Sequence, residues 1–204
     1  MLNKYISKYK ANFDFDLSHQ LIQEVGGIKI KIDVMEYSDC LNRRQKADIL
    51  LEKNGNTYKC ECIDVHDWDN MFYPLTLNNT DYLCFRKTLY GFTLINTDTL
   101  TEEFDYFPEN VINDDESFII TEAMSFYDII VFIGCYWADS YSYYAYDNTR
   151  HLFLNLSKEF HISADDGSAI IDKDKLILTS EDSQISITDE NLNRLITEKG
   201  VSNF

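Results

Sequence analysis

Two prolines and seven glycines in 204 residues leave nothing that reads as a Pro/Gly/Ser-rich linker, so a single domain is expected over residues 1–204. Long apolar runs are also missing. The most apolar stretch, Ile129 to Cys135, falls far short of the roughly 20 residues that a bilayer-crossing helix needs. The first ten residues carry Lys4, Lys8 and Lys10 where an export signal would need an unbroken apolar segment. The expectation is a cytoplasmic chain with no membrane partner.

Basic residues are scarce. Eighteen Lys and Arg stand against 35 Asp and Glu, for a formal net charge of −17. Nucleic-acid affinity depends on Lys and Arg displacing counterions from phosphates, so a nucleic-acid binder is excluded on this reading. The five cysteines, Cys40, Cys60, Cys62, Cys84 and Cys135, are an odd number scattered through strand-like contexts, unlike a disulfide framework. They are expected to be reduced and mostly buried. Cys60 and Cys62 share one strand face, and no second soft-ligand pair accompanies them at zinc-site spacing.

Catalytic signatures are absent. There is no Gly-x-Ser-x-Gly elbow, Gly-rich phosphate loop, His-Glu-x-x-His or EF-hand ladder, and the histidines His19, His66, His151 and His161 are dispersed. No catalytic residue, metal or cofactor is therefore assigned. His66-Asp67-Trp68-Asp69-Asn70 offers one imidazole and two carboxylates, but it reads as a polar loop held by an Asx-turn.

What the chain does have is 45% hydrophobic and 14% aromatic residues, enough for a packed core. Ile28, Ile30, Ile32 and Val34 alternate with Lys29, Lys31 and Asp33, the period of a half-buried strand. Asn54-Gly55 between Ala47–Glu52 and Thr57–Val65 marks a hairpin. Further strands are expected at 82–87, 91–96, 103–107, 117–123, 129–136, 140–146, 151–156, 168–172 and 175–179. The fold class expected is mainly β: antiparallel hairpin-rich sheets, as a sandwich or incomplete propeller-like blades, built from about ten or eleven strands. Leu17, Leu21 and Ile22 suggest a short helix within a 1–25 extension, stopped by Gly26-Gly27. A second helix is expected at 188–200, capped by Thr188 or Asp189 and ended by Gly200.

Charge is distributed unevenly. From Thr88 to Thr149, 62 residues hold no Lys, Arg or His but twelve acids, among them Asp114, Asp115 and Glu116. If these converge, their field would attract a cationic partner. Next to this lies Tyr136-Trp137-Ala138-Asp139-Ser140-Tyr141, followed by Tyr143, Tyr144 and Tyr146; such rings give large, rigid contact area with a polar tip. In strand register Tyr141 and Tyr143 fall on one face and Tyr144 and Tyr146 on the other. The expected function is capture of a basic protein by an acidic, aromatic surface, with Tyr136, Trp137, Asp139, Tyr141, Asp114, Asp115 and Glu116 as contacts. One form of it is an immunity-like inhibitor that covers a basic toxin. The alternative is a small-molecule or carbohydrate site, or an enzyme, with an aromatic pocket near Trp137, Tyr141, His66 or His151.

Overall fold

A computed structural model describes residues 16–38, 43–65, 67–68, 70–107, 118–135 and 140–201. Of the described residues 61% are in strands, which form four antiparallel sheets with two short helices. It divides into two compact units, Met1–Pro74 with Asp81–Val111 and Leu75–Thr80 with Ile112–Phe204. Each unit holds its own apolar cluster.

In the first unit, β1 (Asp16–Val25), β2 (Ile28–Ser38), β3 (Arg43–Lys53) and β4 (Asn56–Ile63) form a sheet in that order. The alternation in β2 places Ile28, Ile30, Ile32 and Val34 on the buried face, where they pack with Ala47, Ile49 and Leu51 of β3 and Cys62 of β4. Burial of each such Ile or Leu contributes roughly 1.5–3 kcal/mol. Asn54 and Gly55 both have positive φ, +52° and +84°, as the two-residue β3–β4 turn requires.

Residues 17–22 correct the helical reading. Asp16 to Val25 is a strand, and Gly26-Gly27, with φ of +58° and +72°, is a hairpin turn rather than a helix stop. The register slips at Ser18, so Leu17 pairs with Met35 and Ile22 with Lys31, both on the outer face. That bulge gives the apolar residues of a strand a helix-like spacing.

β5 (Phe72–Leu77), β6 (Thr80–Phe85), β7 (Phe92–Asn96) and β8 (Thr101–Tyr106) make the next sheet, again in chain order. β5, for which the sequence suggested no strand, contains Pro74. β5 lies at the sheet edge, where a strand tolerates proline because one side makes no ladder bonds.

In the second unit, β9 (Ile119–Phe126), β10 (Ile129–Cys135), β11 (Ser142–Asp147) and β12 (Leu152–Asn155) form a four-stranded sheet, and β13 (Ala169–Asp172), β14 (Lys175–Thr179) and β15 (Gln184–Thr188) a three-stranded one. The described residues thus hold fifteen strands where ten or eleven were expected. α1 (Leu156–Phe160) is a single turn started by Asn155, whose side chain accepts the Lys158 N–H at 3.0 Å, and ended by His161 at φ +53°. α2 (Asp189–Val201) begins at Thr188, whose Oγ1 accepts the Asn191 N–H at 3.3 Å. Leu192 and Ile196 of α2 are buried in the second cluster. The helix runs one residue past Gly200, which therefore does not end it.

The Tyr143 hydroxyl lies 2.6 Å from the Thr179 carbonyl and 3.0 Å from that of Ser168, its one proton serving both. Gly167 sits so close that an added Cβ would overlap the Thr179 carbonyl and the Tyr143 hydroxyl.

Candidate functional site

Of the contacts expected from sequence, Asp114, Asp115, Glu116, Tyr136, Trp137 and Asp139 lie outside the described residues, as do His66, Asp69 and Cys40. Tyr141 is described. It is 40% exposed just before β11, and its backbone N–H donates to Asp165 at 2.7 Å. The other tyrosines are core. Tyr143 belongs to the second cluster, while Tyr144 stacks on Phe118 with centroids 4.1 Å apart. Tyr146 meets His151 Nδ1 at 2.8 Å through its hydroxyl, so both sides of β11 are buried. His151 thereby acts as a partner of a buried phenol.

Asp67 accepts from the Asn70 side-chain amide at 3.2 Å. Trp68 between the loop acids is 4% exposed, and its indole N–H donates to Gln45 at 3.0 Å. No group of three or more His, Cys, Asp or Glu among the described residues is placed to hold a metal ion. Cys60 and Cys62 stand on the core-facing side of β4, and burial foremost pushes the Cys62 thiol well above its ordinary pKa. No disulfide joins the described cysteines.

Seven of the twelve acids between Thr88 and Thr149 are described, and six of these have partners. Lys53 lies 3.8 Å from Asp98, and Lys87 lies 2.7 Å from Glu102 and 3.3 Å from Asp105. Glu103 accepts from Tyr82 and Asn96, each at 2.8 Å. Asp128 accepts the Asn78 N–H at 3.2 Å, and Asp147 pairs with Arg150 and accepts two backbone N–H groups at 2.8 Å. Three cations from outside the stretch, Lys53, Lys87 and Arg150, thus face four of its seven described acids, Asp98, Glu102, Asp105 and Asp147.

Lys87 is the centre of that network. Burial opposes its charge, but the Glu102 hydrogen bond and the nearby carboxylates outweigh this and raise its pKa. Glu102 is also partly buried, yet hydrogen bonds from Lys87 and Tyr58 hold its pKa below 4.5. A lowered carboxylate stabilises the fold above its ordinary pKa, and that contribution is lost as pH falls through the folded value. A raised ammonium contributes fully below 10.5 and is lost as pH rises through its folded value. The first unit is expected to be most stable between about pH 5 and 10 as far as this pair is concerned. Lys87→Met should flatten both limbs of urea midpoint against pH.

The face that sequence reasoning missed is the outer side of the first sheet. Pairing of β1 through β4 sets Gln20, Asp33, Asp48 and Glu61 in one row across the strands, and Ile22, Lys31, Leu50 and Lys59 in the next. The β2, β3 and β4 members of the two rows border an open groove of about 560 Å³. Gln20 donates to Asp33 at 2.5 Å and Lys31 lies 3.0 Å from the same carboxylate; these contacts, Gln20 first, hold Asp33 below its ordinary pKa.

Asp48 stands in register between two other acids, Asp33 and Glu61, an arrangement in which like charges directly opposite cost stability. Asp48→Asn is expected to stabilise the protein by about 0.5 kcal/mol at low salt, with the gain shrinking as salt screens the row. Urea midpoints at two ionic strengths check this. Chemically, the row can take an ammonium or guanidinium between carboxylates while the aliphatic stem lies over Leu50.

No protein-family model matches the sequence, and comparison with curated proteins finds no match. Among solved structures, the chain is similar to the crystal structure of HIRA(644-1017), with a TM-score of 0.42 and 7% identity over 85% of this chain and 54% of that one. The chain therefore spans about half the length of that structure. No helix among the described residues is long and apolar enough to cross a membrane.

Proposed function

We propose that the chain is a protein-binding module whose partner is basic, and that the outer face of the first sheet is where the partner sits. The observation that carries this reading is the row Asp33, Asp48 and Glu61, stacked across three strands beside an open groove. Asp33 is held by Gln20 and Lys31, whereas Asp48, with an acid in register on each side, gives up stability that a cation on the row recovers. An inhibitor that covers the cationic surface of a toxin, in the manner of an immunity protein, is one form of this function. Asp114, Asp115 and Glu116, with Tyr136, Trp137, Asp139 and Tyr141, are proposed from the sequence as further contacts.

The test is titration with fluorescent poly-lysine. Replacing Asp33, Asp48 and Glu61 by Asn, Asn and Gln is expected to weaken binding about tenfold at low salt and to flatten its salt dependence. Binding that is unchanged in affinity and salt slope rejects this face as the site.

A further inference from the structure

We infer that the basic partner enters as an extended strand added to the outer edge of β1. This rests on the reading above and specifies the form of its ligand. Natural sheet edges are usually blunted by Lys, Pro, bulges or shortness, because an open ladder pairs with other chains; the bulge of β1 sits at its first residues, and pairing is regular from His19 to Val25. β1 has ten residues with no Lys or Pro, and no strand pairs with its outer side among the described residues. By contrast β4, the opposite edge of the sheet, carries Lys59.

Apolar side chains lie along this edge where an added strand would meet them. Leu17 is 66% exposed and Ile22 62%, and the slip at Ser18 brings Leu17 to the same outer face as Ile22. A strand laid beside β1 would extend each row of that face by one position. The position beyond Ile22 takes an apolar residue, and the position beyond Glu24 takes a cation. The position beyond Gln20 lies two strand spacings, roughly 10 Å, from Asp33, a gap that a Lys or Arg stem together with the aspartate side chain can close. The favoured pattern on that face is therefore cation, apolar, cation at alternate residues.

Charge decides against a second copy of the chain as the occupant. β1 itself contributes Asp16 and Glu24 with no Lys or Arg, and each copy carries −17. Backbone pairing supplies affinity and the alternate side chains supply selectivity, the usual division in strand addition.

The probe is a labelled peptide, Lys-Thr-Val-Thr-Lys-Thr-Val-Thr-Lys, with a control carrying Glu for Lys. Two further versions are N-methylated at alternate amides, one on each set, since successive amides of a strand point to opposite sides. The Lys peptide should bind and the Glu peptide should not. One methylated version should lose about tenfold or more while the other stays within about twofold. Ile22→Lys, a change at an exposed side chain, should also cost about tenfold. Equal tolerance of both methylation sets, or no binding of the Lys peptide, overturns strand addition. If poly-lysine still binds and depends on Asp33, Asp48 and Glu61, the proposed function stands without it. If poly-lysine fails as well, both fall.

Discussion

Trp68→Ala is expected to destabilise the first unit by about 3–5 kcal/mol, the range for truncating a large aromatic in a packed core. The indole is 4% exposed and sits in the cluster with Ile28 to Val34, Leu51 and Phe85. Two costs add. One is the cavity left by the ring. The other is the lost partner of Gln45, itself 7% exposed, whose Oε1 accepts from the indole while its Nε2 donates to Glu36 at 2.5 Å. Trp68→Phe retains much of the volume and loses the N–H, so it should fall between Ala and wild type. Asp67→Ala, one residue away and exposed, should stay within about 0.5 kcal/mol. Urea unfolding of the three variants checks the series. A Trp68→Ala loss no larger than that of Asp67→Ala would show that the ring is not core.

The same pentapeptide shows what a local reading sees. Asp67 and Asn70 announce a loop, and the structure has one. That the ring between them turns inward follows from β3 supplying Gln45, 23 residues away, which no local pattern reveals. Elements with a clean period were legible: β2 by its alternation, β3 and β4 by Asn54-Gly55, α2 by its cap and its Leu192–Ile196 face. β1 was not, because it is an exposed edge strand whose bulge breaks the period of two, and β5 was hidden by Pro74.

The binding face failed for a related reason. Asp33, Asp48 and Glu61 each looked like the polar half of an alternation. Only the pairing of β2 with β3 and of β3 with β4, known residue by residue, sets them side by side. Conversely, the 62-residue acidic stretch looked uncompensated because Lys87 and Arg150 lie just beyond it in sequence and Lys53 well before it, and the fold brings all three back to its acids. Charge along a chain is thus a poor guide to charge on a surface when every second residue of a strand faces the other way.

The tyrosines of β11 give the second large expected effect. Rings on alternate faces of a strand suggest one buried side and one offered to a partner. Tyr144→Ala should instead cost about 3–5 kcal/mol, as a core ring does, and not the near-zero cost of a surface contact. Tyr144 is 3% exposed and lies nearly parallel to Phe118, 8° between planes, while Phe118 in turn meets Phe132 and Phe153 at centroid distances of 5.6 and 5.7 Å. Removing it strips one plate from a stacked set whose rings cannot all move in to fill the gap. Tyr141→Ala, one residue before β11 and 40% exposed, should change stability by less than about 0.5 kcal/mol. Thermal or urea unfolding of the second unit separates the two. If Tyr144→Ala were as mild as Tyr141→Ala, that face of β11 would be a surface, and its aromatic cluster would return as a candidate for partner contact.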